Sequence, residues 1–254
     1  MNILADLHTH TLVSHHAYST LRENCLVAAQ RGLRALATTD HGYGAPDSAN
    51  DWHFGSMWIL PRRMEGIYHL RGAEANIMDM DGNLDLHASD QRFVDWLIAS
   101  LHAYCVKPQD DQAHTNAYLK ALDNPYVDVL GHPASLRFPF DEEAVVRRCA
   151  QTGKMLEINA HAMLLSPETV AINKRLLSLC KRHDARVAVG SDAHVCYEVA
   201  TFDFVRTLLE ETDFPEALVF NADLGAVFGF LGGVVEIHGL SPSGGSAVAL
   251  FERA

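Results

Sequence analysis

The sequence predicts a single α/β domain in which about seven short parallel strands alternate with helices and close into a barrel. Apolar runs of four to six residues recur at 35–39, 68–73, 96–101, 127–131, 155–158 and 187–190, each rich in residues suited to a buried strand. Helix start and stop signals fall between them, as right-handed β-to-β crossovers require. With 254 residues, 48% of them hydrophobic and 20% charged, the chain is long enough to bury one sizeable core.

Taken in order, Ile3-Leu4-Ala5 is a short buried strand running into Asp6-Leu7-His8-Thr9-His10, where period-2 alternation sends His8 and His10 the same way. Ser14-His15-His16 follows. Thr20-Leu21-Arg22-Glu23 is a capping box that opens the first helix, and Gly32 stops it. The strand at 35–39 ends in Thr39-Asp40-His41. Residues 42–61, with Gly42, Gly44, Pro46 and Trp52-His53-Phe54, have no clear period and read as a long loop over the strand ends. That loop is a candidate lid or substrate wall, with packing by Trp52, Phe54 and Trp58 as the alternative reading.

The next strands end in Gly72-Ala73-Glu74, Ser100-Leu101-His102 and Gly131-His132-Pro133, with a helix expected over 112–122. Asp141 is an N-cap with Glu142 and Glu143 in the first turn, and Gly153 ends that helix. The strand at 155–158 runs into Glu157-Ile158-Asn159 and lacks the terminal ligand of the others. Ser166-Pro167-Glu168 starts a helix whose apolar stripe spans 172–180 and whose last turn holds Lys181-Arg182-His183. The run at 187–190 leads into Gly190-Ser191-Asp192-Ala193-His194, and helices are expected over 198–211 and 221–231. The Leu-Ser-Pro-Ser-Gly-Gly-Ser stretch after Gly239 is compositionally flexible, so the domain is expected over 1–236 with a flexible tail over 237–254.

In a barrel, residues at the C-terminal ends of different strands converge, which lets positions from 8 to 194 share one site. His and carboxylates at nearly every strand end point to divalent metals, and neutral imidazole is a common transition-metal ligand. The formal charge of −12 disfavours nucleic acid as a partner, and three divalent cations would offset half of it. Five scattered cysteines, Cys25, Cys105, Cys149, Cys180 and Cys196, show no C-x-x-C pair, so reduced thiols are expected rather than disulfides or a thiolate zinc site. There is no apolar stretch of about 18 residues and no basic, cleavable leader, so a cytoplasmic protein without membrane contact is expected.

With these motifs in view, the chain resembles the PHP (polymerase and histidinol phosphatase) superfamily, and within it the small stand-alone phosphatases of the YcdX type. The resemblance runs over roughly residues 3 to 235. It includes His16-Ala17-Tyr18-Ser19-Thr20, Trp52-His53-Phe54, Arg71-Gly72 with Glu74-Ala75-Asn76-Ile77, Leu156-Glu157-Ile158-Asn159 and Gly190-Ser191-Asp192. It implies a distorted (βα)7 TIM-like barrel with three divalent metals, zinc first and manganese or iron as alternatives. By that resemblance His8, His10, Glu74 and Asp192 hold one metal, and Glu74 bridges to a second held by His102 and His132. His16, His41 and His194 hold the third, with His15 a bystander. Asp192, His194 and Glu74 are then the catalytic candidates, and His53, Arg62 and Arg71 are candidate substrate contacts.

The implied reaction is hydrolysis of small phosphate monoesters, with a metal-bound hydroxide attacking phosphorus in line and a small phosphorylated metabolite as substrate. Asp6 and Asp40 are candidate acceptors that orient ligand imidazoles. The alternatives are a phosphodiesterase or exonuclease-like activity, which the acidic charge disfavours, and a non-catalytic metal-stabilised scaffold. A homo-oligomer is compatible with the sequence. The chain departs from the family after Asn159, where Ala160-His161-Ala162-Met163-Leu164 stands in place of small polar residues.

Overall fold

A computed structural model describes residues 1–46 and 48–237, and the tail expected beyond them lies outside the described residues. Its strands are β1 (Ala5–Asp6), β2 (Ala35–Thr38), β3 (Arg63–Met64), β4 (Ile67–Asn76), β5 (Trp96–Ser100), β6 (Val129–Leu130), β7 (Met155–Asn159) and β8 (Val187–Gly190). Seven of them form a parallel sheet in the order β1-β2-β4-β5-β6-β7-β8, nearly closed into a barrel, as the expected βα alternation requires. The short β3 was not expected. It pairs antiparallel with β4 through a tight turn at Glu65 and Gly66, both left-handed at φ 51° and 86°.

The gap between β1 and β8 is bridged in two places. Below, the Asn221 side-chain amide donates to the carbonyls of Ala5 and Val189 at 2.7 and 2.8 Å and accepts from Val189 N–H at 3.0 Å. Above, Asp192 N–H donates to His8 O at 2.8 Å and His10 N–H to Ala193 O at 2.9 Å. The segment 219–221 therefore stands where an eighth barrel strand would run, Val219 bridging in parallel to Val187 and Asn221 O accepting from Leu4 N–H at 2.9 Å.

The helices are α1 (Leu21–Gln30), α2 (Ala88–Gln91), α3 (Asp111–Asp123), α4 (Glu142–Thr152), α5 (Ala160–Leu165), α6 (Pro167–His183), α7 (Asp203–Glu211) and α8 (Leu224–Ile237). Several caps lie where the sequence places them. Thr20 Oγ1 accepts from Glu23 N–H while Glu23 accepts from Thr20 N–H, a reciprocal cap worth about 1 kcal/mol. Asp141 caps α4, Gly153 ends it at φ 71°, and Ser166 caps α6 ahead of Pro167. Two expected helices start later. A 3-10 turn at Cys196–Glu198 and left-handed Ala200, at φ 63°, delay α7 to Asp203, and a second 3-10 turn at Phe220–Ala222 delays α8 to Leu224.

Strand alternation divides the core in two. Leu36, Ala73, Ala75, Leu97 and Ala99 face the helices, whereas Ala35, Ala37, Tyr68, Leu70, Trp96, Ile98, Val129, Met155 and Ala188 fill the barrel. Phe220 plugs the lower end, its ring stacked on Trp96 at 5.6 Å and 5°. In the long loop, Phe54 and Met57 are buried within a 3-10 helix at Phe54–Ile59, while Trp52 and Trp58 are 82% and 62% exposed, so packing accounts for only one of its three aromatic anchors. Among the described residues no helix is long and apolar enough to cross a membrane, and all five cysteines are free.

Candidate metal centre

Moving up the barrel, the inward positions change character. Above the apolar layers stand Gly72, Ser100, Gly131, Glu157 and Gly190, and the next inward positions carry Glu74, Asn76, Asn159 and Asp192. The glycines keep this layer open. A Cβ on Gly131 would lie 2.1 Å from Ser100 Oγ, and one on Gly190 would lie 2.3 Å from Glu157 Oε1 and 2.5 Å from His8 Cβ.

Into this space the loops deliver the histidines. His8 Nε2 lies 3.1 Å from His10 Nε2, and His10 Nε2 lies 3.1 Å from Asp192 Oδ1. Glu74 Oε2 is 3.4 Å from His8 Nε2 and 2.8 Å from His41 Nδ1. The other oxygen, Oε1, is 2.8 Å from His132 Nε2, which lies 3.1 Å from His102 Nε2. His194 Nε2 meets His16 Nε2 at 2.8 Å, and the His16 ring stacks on His41 at 5.2 Å. The structure thus gathers His8, His10, His16, His41, Glu74, His102, His132, Asp192 and His194 at one end of the barrel, around a buried Glu74 whose two oxygens face different groups of imidazoles. Two of these residues hold left-handed backbone, His132 at φ 28° and Asp192 at φ 57°, a strain typical of functional sites.

The donor set fits cations for a reason that can be read from the hydrogen bonds. His8 Nδ1 lies 2.7 Å from Glu157 Oε1, His102 Nδ1 lies 2.6 Å from Asn76 Oδ1, and His194 Nδ1 lies 2.9 Å from the Asp192 carbonyl. Ser14 Oγ, which donates to Asp40 Oδ1, is left to accept from His10 Nδ1 at 3.4 Å. Acceptors at these four Nδ1 atoms put the proton there and leave each Nε2 as a bare lone pair. The lone pairs of His8 and His10 then face each other, which demands a proton or a cation between them. His41 Nδ1 is buried beside Glu74 without making a hydrogen bond, an orphan of the same kind.

The electrostatics agree. Burial opposes ionising Glu74 and Asp192, yet the surrounding imidazoles outweigh it and hold both carboxyls well below the usual range. Burial and His41 hold His10 well below its ordinary value, and burial pushes His102 down to about 3. Against the same burial, Glu157, Asp192 and Glu74 hold His8 well above its ordinary value, and Glu74 brings His132 to about 8. Ionised carboxylates and a cluster that attracts positive charge are the state a cation site needs.

The supporting residues differ from those expected. Asp6 and Asp40 orient loops rather than rings. Asp6 accepts from the N–H groups of Ser191 and Ala200, both at 2.9 Å, while burial raises its carboxyl to about 6. Asp40 accepts from Thr11 N–H and Oγ1, both at 2.8 Å, and reaches His10 only through Ser14. The residues that do orient ligands are Glu157, Asn76 and Ser100, the last donating to Glu74 Oε1 at 2.7 Å. Their signal in the sequence is parity, since each sits an even number of positions from an inward residue of its own strand.

Arg62, expected as a substrate contact, is instead ion-paired with Asp95, which precedes β5 and so lies at the end of the barrel away from His102. Arg71 donates to the carbonyls of Trp58 and Leu60 at 2.9 and 2.6 Å and pins the long loop. His53 lies with its buried Nε2 3.7 Å from Asp40 Oδ2, beside the centre but outside the cluster. His69 and His114 are buried in structural bonds, His183 pairs with Glu143, and His238 lies outside the described residues.

Comparison with known proteins adds an independent line. The model of the PHP domain family matches residues 6–161. A probable phosphatase of Clostridium botulinum strain Hall is 38% identical over 231 residues, covering 91% of this chain and 95% of the relative. A probable phosphatase of Thermoanaerobacter pseudethanolicus is 40% identical over 233 residues, with the same coverages of 91% and 95%. Among solved structures, the histidinol phosphate phosphatase of Lactococcus lactis, in complex with zinc, L-histidinol and phosphate, superposes with a TM-score of 0.60 at 18% identity, covering 84% of this chain and 95% of that one. A chain of archaeal ribonuclease P superposes at 0.59 with 12% identity, covering 92% of each chain. At such identities these two likenesses show the fold alone.

Proposed function

This chain belongs to the PHP domain family, and from that premise we propose that it is a metal-dependent phosphatase of small phosphate monoesters. The observation that carries the reading is the gathering of imidazole nitrogens with facing lone pairs around Glu74. In this reading one cation would be held by His8, His10, Asp192 and one oxygen of Glu74, a second by the other oxygen with His102 and His132, and a third by His16, His41 and His194. Divalent cations held there would neutralise phosphate oxygens and make a water nucleophilic near neutral pH.

The chain's own contribution is to fix and shield that arrangement. Glu157 keeps His8 in one tautomer, Asn76 does the same for His102, and Ser100 orients Glu74. Asn159 donates to Asp192 Oδ2 at 3.2 Å, which aims Oδ1 at His10. An open cavity beside the cluster leaves room for an ester to lie with its phosphate against the centre. Zinc leads among the borderline cations that suit imidazole and carboxylate without thiolate, with manganese and iron as alternatives. Residues 1–236 would form the phosphoesterase domain, and a reducing cytoplasm would suit its five free thiols.

Elemental analysis of the purified protein, paired with p-nitrophenyl phosphate turnover before and after chelation and metal restoration, tests this. About three equivalents of metal and chelator-sensitive turnover are expected, and His16→Ala or His194→Ala should remove about one equivalent. Protein that carries no metal and takes none up would overturn it.

A further inference from the structure

A cavity of about 780 Å³ opens directly from the centre, with His102, His132 and Asp192 in its lining. That volume is in the upper part of the range of roughly 300–1,000 Å³ that takes a drug-sized ligand, and far exceeds the need of a phosphate group. Residues 101–104 after β5 form one side, and two further segments supply most of the rest. The segment after β6 supplies Ala134 and Phe138, which are 5% and 2% exposed and so form a fixed apolar side. Opposite stands α5, built from the Ala160-His161-Ala162 stretch and fastened by Asn159, whose side chain accepts from Ala162 N–H at 2.8 Å. Around the mouth, Leu136 and Leu165 are 63% and 73% exposed, apolar surface that no part of the described chain covers.

One cation stands in this setting. Among the described residues Arg137 is the sole lysine or arginine lining the cavity, and its exposure places it at the rim. Ser135 Oγ accepts its backbone N–H at 3.2 Å, fixing the turn that presents it. Elsewhere Arg22, Arg62, Arg148, Arg175 and Arg206 are each paired with a carboxylate. Among the described residues none is paired with the Arg137 guanidinium. A planar fork of donors at the edge of an apolar cavity is matched by a carboxylate or phosphate that can take two of its N–H groups.

We propose that this cavity is a leaving-group pocket selecting phosphate esters that have an apolar body and, away from the reacting phosphate, a second anionic group held by Arg137. The inference rests on the phosphatase reading and deepens it. The reacting phosphate lies at the buried His102, His132 and Asp192 end, the body lies along Phe138 and Ala162, and the second anion reaches the rim. In a chain of net charge −12 such a substrate needs local positive charge at both ends: Arg137 supplies it at the rim, and cations held by the centre would supply it at the other.

The test compares phenyl phosphate, 4-carboxyphenyl phosphate, 1,4-phenylene bisphosphate and glycerol phosphate on the metal-restored full chain. The carboxylate and second-phosphate arms are each expected to exceed phenyl phosphate in kcat/KM by about tenfold, chiefly through KM, and glycerol phosphate to fall below all three. Arg137→Ala should bring the ratio to within about twofold of one, while Arg148→Ala, paired with Asp123 away from the cavity, should keep the ratio of the unmodified protein. An unaltered ratio in Arg137→Ala would overturn the proposal. So would an equal loss on all four esters, which would put Arg137 on the reacting phosphate. Calorimetry with phenylphosphonate and 4-carboxyphenylphosphonate needs no turnover. An Arg137-dependent preference there without hydrolysis of any ester supports the pocket while sinking the phosphatase reading, and hydrolysis without the preference does the reverse.

Discussion

The two ends of the barrel use the same inward-facing positions for opposite purposes. At the lower end Tyr68, Trp96 and Met155 fill the interior and Phe220 closes it, with Trp96 and Phe220 stacked at 5.6 Å. A few residues further along the same strands the inward positions are glycines, Ser100 and Glu157, then Glu74, Asn76 and Asp192. Dispersion and burial stabilise the first region, whereas the second holds unpaired lone pairs, left-handed residues and carboxylates whose arrangement favours a ligand over stability. The strands are continuous between them, so one end can tolerate an unfavourable assembly of charge because the other is firmly packed.

That contrast can be broken from either side. The largest effect is expected from Glu74→Ala, which removes the carboxylate shared by both imidazole groups and should cut phosphatase turnover by about 10³-fold or more, together with bound metal, read by kinetics and elemental analysis. At the other end, Trp96→Ala should cost about 3–5 kcal/mol in denaturant unfolding while the folded fraction keeps its metal stoichiometry. Loss of metal from that variant would show that the ends are not separable. Glu157→Gln should weaken metal affinity by about 10–100-fold, measured by competition with a chelator, since it replaces the charged acceptor that fixes the His8 tautomer by a neutral amide whose NH2 would meet the His132 N–H donor.

The smallest effect concerns pH. Burial lowers His69 from 6.5 to about 4, so the unfolded chain binds a proton there that the folded chain refuses. Stability is therefore lost as pH falls from about 6.5 to about 4, by about 3 kcal/mol when complete. His69→Gln should flatten that part of the pH profile in thermal unfolding, and an unchanged profile would assign the acid sensitivity to the upper end instead.

Much of this was legible in the chain. The strand runs, the capping box at Thr20, the N-caps at Asp141 and Ser166 and the ligand types at strand ends are local signals, and the structure follows them. What escaped the reading depends on neighbours distant in sequence. Glu157 marked the one strand end without a ligand, and its meaning emerges only when β7 is set beside β8 and His8. The sequence offers Arg62 as a substrate contact, yet Asp95 draws it to the opposite end of the barrel. Asn221 gives no signal at all, because a seam exists only once the first and last strands meet.

That seam carries a kinetic consequence. His10 and Asp192 are 182 residues apart in the chain, so bringing them together closes a loop through most of the protein, whose entropy must be lost before the contact is made. On one flank stand His8 and His10, on the other Asp192 and His194, held across the gap by backbone bonds and by the side chains of Asn221 and Asp6. A cation shared between the flanks would act as a clasp, depleting the opened form in proportion to its concentration over its dissociation constant. Metal supply would then set the lifetime of the folded chain against proteases, and a starved cell would lose the protein along with its activity.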